Sequence, residues 1–212
     1  MKISQLEKGL SESLQKEYRS DDLQFCLQQI GVVKSGDVVI AYRDLLPWQR
    51  GGAETYIAAG IIEFQSYEIK FIAKALISMA TLPTKQLADW NRRRATINNL
   101  GILTPELFSS GNGVIYEAFI AYNFDIAGNF SNQILEQLGF IAGKLDKSGF
   151  ETISFSHDLR QQGNLLYYID FGSDLGEPAD SQTDTAWRHL KAKLSSNQLE
   201  IARPIYNDIV NL

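Results

Sequence analysis

The chain has 212 residues, a net charge of −5 and 44% hydrophobic residues, an ordinary composition for a soluble globular protein. That length allows one domain or two closely packed lobes. The negative charge argues against nucleic acid or an anionic membrane as a partner. A lone cysteine, Cys26, and only two histidines exclude an intrachain disulfide and a Cys/His zinc cluster. The polar N-terminus and the lack of an apolar run of ~18 residues lead us to expect a cytoplasmic protein without a membrane span.

The first 36 residues are predicted to form a helical extension. Leu6, Leu10 and Leu14 recur every four residues, which predicts an amphipathic helix over residues 4–18. A second short helix is expected over residues 23–30, because a glycine follows it directly. This extension carries no recognisable chemistry.

Strand-forming residues dominate from residue 37 onward. Two strands are predicted on either side of the glycine pair Gly51-Gly52. A third strand, residues 67–74, alternates so that Phe71 lies on one face of the sheet and Lys74 on the other. Three antiparallel strands therefore place Lys74 on the same sheet as the glycine turn.

The middle of the chain is predicted to contain a helix and a hairpin. Residues 85–100 have apolar side chains at helical spacing, and a glycine follows them. Three consecutive arginines in this helix, residues 92–94, are a candidate for a local basic patch. A glycine-containing turn at residues 109–113 then precedes a strand over residues 114–120.

The remainder is richer in helix. Residues 131–146 have a strong helical period, and two further helices are expected near residues 184–195 and 198–210. Segments 152–155 and 165–171 predict a hairpin, whose second strand ends at Asp170. A sheet-rich half followed by a helix-rich half indicates an α+β protein, without an alternating parallel sheet.

Five segments, in this order, resemble the protein-kinase-like fold in its small atypical forms. That group contains aminoglycoside and choline-type phosphotransferases, lipopolysaccharide kinases and RIO-type kinases. The glycine-rich phosphate loop resembles Gly51-Gly52-Ala53-Glu54-Thr55-Tyr56, and the strand with the phosphate-binding lysine resembles Phe71-Ile72-Ala73-Lys74. The passage out of the regulatory helix resembles Leu100-Gly101-Ile102-Leu103-Thr104-Pro105, and the strand entering the hinge resembles Ile115-Tyr116-Glu117-Ala118-Phe119-Ile120. The segment with the metal-binding Asp resembles Asp170-Phe171-Gly172.

The resemblance implies a two-lobed α+β protein that binds ATP and Mg²⁺. Residues 37–117 would form an N-terminal lobe with an antiparallel sheet and a helix, and residues 118–212 a small helical C-terminal lobe. The activity implied is transfer of phosphate to a small-molecule or protein acceptor that the sequence does not identify. Backbone amides of a glycine turn, a lysine and an Asp-bound Mg²⁺ are the groups that hold and neutralise phosphates. By resemblance, nucleotide binding falls to Gly51, Gly52, Lys74 and Glu117, and metal binding to Asp170.

The catalytic loop of this family is less easily assigned. The segment from His157-Asp158 to Asn164 looks like that loop, with Asp158 as the base and Asn164 as a metal ligand. Only five residues separate Asn164 from Asp170, too few for the hairpin that the family has there. We therefore expect residues 160–164 at the hairpin tip. By that alignment Asp158 is a candidate metal ligand, and the candidate bases are Asp146 and Glu151.

Two other interpretations remain open. A pseudokinase, meaning a kinase-shaped binding or scaffolding module, is favoured by the absence of a clean catalytic loop and by the lack of a Glu in helix 85–100 to pair with Lys74. Ile72 also favours it, since the family usually has a small residue above the adenine ring. The other interpretation is an unrelated α+β domain that binds a protein partner through its helical N-terminus.

Overall fold

The computed structural model describes residues 28, 33–34, 36–51, 55–76, 83–111, 114–124, 126, 128–172 and 175–212. The predicted helices at residues 4–18 and 23–30, apart from Gln28, lie outside this part of the chain, as does Gly52. Contacts divide the described residues into two compact units. One holds the residues up to 89 together with 106–119, and the other holds residues 90–105 together with 120–212. The predicted domain boundaries after residues 36 and 117 stay predictions, since a compact unit is not the same as an independently folding domain.

The first unit is built on a five-stranded sheet in which all neighbours are antiparallel. Its strands are β1 (Val39–Arg50), β2 (Thr55–Phe64), β3 (Glu68–Leu76), β4 (Leu107–Gly111) and β5 (Val114–Ala118). The spatial order is β1-β2-β3-β5-β4. Short connections join β1 to β2 and β2 to β3, as the turn residues predict.

The two faces of this sheet differ in character. One face carries an apolar cluster that includes Ile62, Phe71 and Tyr116. The register of β3 against β5 aligns Ile72 with Glu117 and Lys74 with Ile115, so these four residues share the opposite face. The predicted alternation of β3, which separates Lys74 from the apolar core side, is confirmed.

The second unit is mainly helical. Its core is formed by the buried side of the helix that begins after Ser131, whose hydroxyl caps the first turn by accepting from the Ile134 N–H. Three short strands form a separate sheet in the order β6-β7-β8. The remaining elements are α1 (Pro83–Asn99), which begins in the first unit, then β6 (Tyr122–Asn123), α2 (Asn132–Lys147), β7 (Leu159–Gln162), β8 (Leu165–Tyr168), α3 (Thr185–Lys193) and α4 (Ser196–Val210).

The predicted first strand of the hairpin at residues 152–155 is wrong. Thr152 forms only an isolated bridge to Leu175. Residues 155–158 are a turn, because the His157 N–H donates to the Ser154 carbonyl at 2.7 Å and the backbone therefore bonds locally. The hairpin is formed by β7 and β8, and its tip is Gly163-Asn164, with Gly163 at φ 58°.

These elements confirm the α+β class with an antiparallel sheet. Helices α1 to α4 match the four predicted helices that fall within the described residues, to within about two residues at each end. Within that same part of the chain, no helix has the length and apolar character needed to cross a membrane.

Helices α2 and α4 approach so closely that a glycine is required at residue 139. A Cβ added to Gly139 would overlap the main-chain carbonyl of Ala202, whereas one added to Gly143 would meet only the Ile209 side chain, at 3.1 Å. We expect Gly139→Ala to lower the free energy of unfolding by about 1–3 kcal/mol, because a backbone atom cannot rotate aside. The measurement is urea unfolding followed by circular dichroism.

Gly143→Ala is the matched control on the same helix. Ile209 can move, and alanine raises helix propensity by about 1 kcal/mol relative to glycine. We expect this variant to lose less stability than Gly139→Ala. Equal stability of the two variants would show that the helices do not approach as described.

Candidate active site

Lys74 and Glu117 form a buried ion pair on the sheet of the first unit. The Lys74 Nζ lies 2.5 Å from the Glu117 Oε1, and the two side chains are only 11% and 1% exposed. Diagonal neighbours on adjacent antiparallel strands are within reach of long side chains, which explains the pairing. Lys74 is therefore not a solvated strand lysine. The other Glu117 oxygen, Oε2, is buried and has no hydrogen-bond donor among the described residues.

This partner of Lys74 comes from a strand rather than from a helix. Helix α1 contains no Glu. From the sequence we expected Glu117 only as a nucleotide-binding residue of the hinge strand. The sequence does not give the register of β3 against β5, and the register determines this pairing. Because Ile72 lies opposite Glu117, Lys74 and Glu117 share a face of the sheet. Ile72, half-buried, lies on that face beside Glu117.

A main-chain hydrogen bond joins the described residues at the two ends of the predicted phosphate loop. The Gly51 N–H donates to the Thr55 carbonyl at 2.9 Å and closes the connection between β1 and β2. Gly51 is exposed, and a Cβ at this position would collide with the side chain of Ile57. A larger residue here would therefore require the Ile57 side chain to move.

Asp170 begins a turn two residues after β8 ends. Its Oδ1 accepts from the Gly172 N–H at 2.9 Å, which is an Asx turn. The described residues give its Oδ2 no hydrogen-bond donor. Phe171 is fully buried, with its ring edge-on to Trp90 at 5.0 Å between centroids. A buried aromatic thus anchors the turn that presents Asp170.

Asp158 lies near Asp170 but is bonded within the protein. Its carboxylate accepts from the Ser154 hydroxyl at 3.1 Å and from the Tyr168 hydroxyl at 3.2 Å. Its main-chain carbonyl accepts from the Ile169 N–H at 2.8 Å, which brings Asp158 beside the residue preceding Asp170.

The charges of both carboxylates act on one partly buried guanidinium, that of Arg160. Burial lowers the pKa of Arg160, while the negative charges of Asp158 and Asp170 act in the opposite direction. The Arg160 Nη1 also donates to the carbonyls of His157 and Leu159, both at 2.8 Å. The charges of both predicted metal ligands therefore act on an arginine that the sequence did not indicate.

Asp146 has a structural environment. It is completely buried and accepts hydrogen bonds at 3.0–3.1 Å from the Thr183 hydroxyl, the N–H groups of Ala186 and Trp187, and the Tyr206 hydroxyl. Two of these donors are otherwise unpaired amides at the start of α3. Burial and the Asp146 charge raise the pKa of Tyr206 well above its usual value. These contacts support a capping role for Asp146, and its role as a base stays a prediction.

The other candidate base, Glu151, is solvent-exposed. Its main-chain carbonyl accepts from the Gly176 N–H at 3.0 Å. Nothing in the surroundings of its side chain distinguishes it from an ordinary loop carboxylate.

The carboxylates near Asp170 suit a cation that is held partly by phosphate. Within the described residues there is no group of three or more His, Cys, Asp or Glu side chains able to hold a metal ion. Mg²⁺ commonly needs only one or two protein carboxylates when substrate phosphates complete its coordination. The Oδ2 of Asp170, which has no donor among the described residues, fits this requirement, whereas both Asp158 oxygens already have donors.

The three arginines of α1, the candidate basic patch, make hydrogen bonds within the protein. Arg92 donates to both oxygens of Glu177, each at 2.7 Å. Arg93 donates to Glu177 at 2.8 Å and also to the Gly172 carbonyl at 2.9 Å. Arg94 donates to the Pro105 carbonyl. Hydrogen bonds from Arg92, with further ones from Arg93, lower the pKa of Glu177 to about 2.

No protein-family model matches the chain, and no curated protein matches it. Among solved structures, the crystal structure of macrolide 2′-phosphotransferase MphH from Brachybacterium faecium, an apoenzyme, is similar with a TM-score of 0.52 and 10% sequence identity. The similarity covers 88% of this chain and 82% of that one. At this identity it shows the fold alone, and that fold is kinase-like. The alternative of an unrelated α+β fold is therefore wrong, while binding of a protein partner through the N-terminal segment stays a prediction.

We expect Asp146→Asn to destabilise the protein by about 2–4 kcal/mol, because an amide presents N–H groups to donors that need an acceptor. Thermal and urea unfolding measure the loss. Asp180→Asn, at an exposed aspartate of the same unit, is the control and should be neutral. Unchanged stability in Asp146→Asn would contradict the capping role.

The ion pairs of Glu177 predict a pH-dependent contribution to stability. A carboxyl group with a lowered folded-state pKa stabilises the protein above its unfolded-state pKa and loses this effect as the pH falls. The melting temperature of Glu177→Gln should therefore lie below that of the wild type by a constant amount from about pH 7 to 5. The difference should shrink as the pH falls from 4.5, the ordinary value, towards the lowered value of about 2. A difference independent of pH down to about 2 would show that charge is not responsible.

Proposed function

We propose that this chain is a kinase-like protein that binds ATP with Mg²⁺ and transfers phosphate to a small-molecule or protein acceptor. In this proposal Lys74 contacts the phosphates, the amides near Gly51 and Gly52 approach them, and Asp170 holds the cation. The burial of the Lys74 ion pair is the observation that carries it. The kinase-like fold shared with a macrolide phosphotransferase supports phosphoryl transfer as the reaction class.

A buried ion pair on a sheet needs an explanation other than stability. Removing two charges from water costs several kcal/mol for each ion, and apolar residues of similar size often stabilise a fold as well or better. Lys74 and Glu117 are nevertheless 11% and 1% exposed at the side chain. An ammonium group has three N–H donors. The ion pair with Glu117 therefore holds the lysine in place and leaves it N–H donors with which to bind an anion. Glu117 thereby acts on the nucleotide through Lys74.

The carboxylates near Asp170 have distinct roles in this proposal. Asp170 offers an oxygen without a described donor, and Mg²⁺ bound there would neutralise charge on the phosphoryl oxygens. Asp158 holds the Asp170 segment through the Ile169 N–H. In this proposal Asp158 or Glu151 takes the proton from the hydroxyl group that receives the phosphate. Asp146 is less suited to this role, since its carboxylate already accepts from four donors.

A pseudokinase is the second candidate, and Arg160 is the observation that favours it. Its guanidinium lies close enough to Asp158 and Asp170 for both charges to affect its pKa. A fixed positive charge there supplies part of the neutralisation that a second cation provides in phosphoryl transfer. The carboxylate of Asp158 is also tied to Ser154 and Tyr168. Such a site would bind a nucleotide without turning it over.

Calorimetric titration with ATP and Mg²⁺ tests nucleotide binding. Lys74→Met should weaken binding by about 10–100-fold, the loss expected for one charge-assisted contact. Lys70→Met is the matched control, because Lys70 lies on the same strand and face but is exposed and paired with Glu68 at 3.0 Å. Absence of wild-type binding, or an equal loss in the two lysine variants, would contradict the proposal.

Release of ADP from ATP, measured on the same proteins, separates the two candidates. Turnover that Asp170→Asn abolishes and Asp180→Asn retains would select phosphoryl transfer. Nucleotide binding without any turnover would select the pseudokinase.

A further inference from the structure

The turn that presents Asp170 is held by an arginine from helix α1. The Arg93 Nη1 donates to two successive main-chain carbonyls, that of Phe171 at 3.3 Å and that of Gly172 at 2.9 Å. Its Nε and Nη2 donate to the Glu177 Oε1 at 3.2 and 2.8 Å. The Arg93 side chain is only 14% exposed. One guanidinium therefore joins the turn to a carboxylate five residues further along the chain.

Helical spacing brings a second contact to the same turn. Trp90 and Arg93 are three residues apart on α1 and so lie on one face of the helix. Trp90 meets the ring of Phe171 edge-on, while Arg93 binds the carbonyl of the same residue. The helix thus fixes both the side chain and the peptide groups that follow Asp170.

We infer that Arg93 is a positioning residue for Asp170, an inference that rests on the proposed function. The Gly172 N–H donates to the Asp170 Oδ1, and the Gly172 carbonyl accepts from Arg93. Holding the peptide groups of residues 171 and 172 keeps this N–H directed at Oδ1. The orientation of the carboxylate is fixed in this way, and Oδ2 is left for the cation.

Arginine suits this role better than lysine. Its planar guanidinium has five donors in a rigid arrangement, so it binds two carbonyls and a carboxylate at once. Glu177 compensates its charge and orients it. Arg92 binds the same carboxylate from the other side at 2.7 Å.

Binding of Mn²⁺ in the presence of a non-hydrolysable ATP analogue, followed by electron paramagnetic resonance, tests the inference. Arg93→Gln should weaken Mn²⁺ binding by about 10-fold or more, the loss typical when a group that orients a metal ligand is removed. Arg92→Gln is the matched control, with the same charge change and a partner in common. It should stay within about 3-fold of the wild type, since its contact with Glu177 is solvent-exposed.

A double-mutant comparison of Arg93 with Asp170 distinguishes a positioning role of Arg93 from a general loss of structure. In an Asp170→Asn background, Arg93→Gln should cause no further loss of nucleotide affinity, because the group that it orients is gone. A loss of equal size in both backgrounds would overturn the inference. Equal Mn²⁺ affinities of the Arg92 and Arg93 variants, with binding still dependent on Asp170, would also overturn it while leaving the proposed function intact.

Failure of the proposed function has a different signature. The wild type would then bind no Mn²⁺ with the nucleotide analogue, and the inferred role of Arg93 would fall with it. Should Arg93→Gln not fold, Arg93→Lys keeps the charge but cannot span the carbonyls and Glu177 together. It is expected to show the same loss of about 10-fold, and wild-type affinity in this variant would contradict the inference.

Discussion

The buried ion pair between Lys74 and Glu117 is the constraint on which the first unit depends. Burying either charge alone would leave an uncompensated ion in the protein, which is strongly destabilising. The observed register of β3 and β5, with Glu117 opposite Ile72, puts both charges on the same face of the sheet. A shift of β5 by one residue against β3 would move Glu117 to the face that carries the apolar cluster and separate it from Lys74. The register of β3 and β5, the separation of the two faces and the position of Lys74 therefore all agree with the same pairing.

Much of this fold was predictable because its signals are local. Helices α1 to α4 follow from apolar periodicity, and the face of Lys74 follows from the alternation of a strand. The hairpin was misplaced for a local reason too, since residues 152–155 have strand-forming side chains but bond within a turn. The partner of Lys74 was not predictable in this way. It requires knowing which residues of β3 and β5 face each other, and that is a tertiary property.

The candidate site shows the same limit more sharply. Asp146, Asp158 and Asp170 are chemically identical in the sequence, and their surroundings alone separate them. Asp146 receives donors from residues 183–206, about forty to sixty positions away along the chain. Asp158 is bonded by neighbours, whereas one Asp170 oxygen has no donor among the described residues. The sequence identified Asp170 by resemblance, but distant donors decide which of the other two carboxylates is structural.

Positive charge around Asp170 connects the two proposed functions. Arg160 acts on the carboxylates of Asp158 and Asp170, whereas Arg93 binds the peptide carbonyls that follow Asp170. Under the proposed function, the first arginine would compete with a cation for the carboxylates, whereas the second would orient a carboxylate towards the cation without competing for it. The affinity of Asp170 for a cation would then depend on the balance between Arg160, which would reduce it, and Arg93, which would increase it by holding the turn.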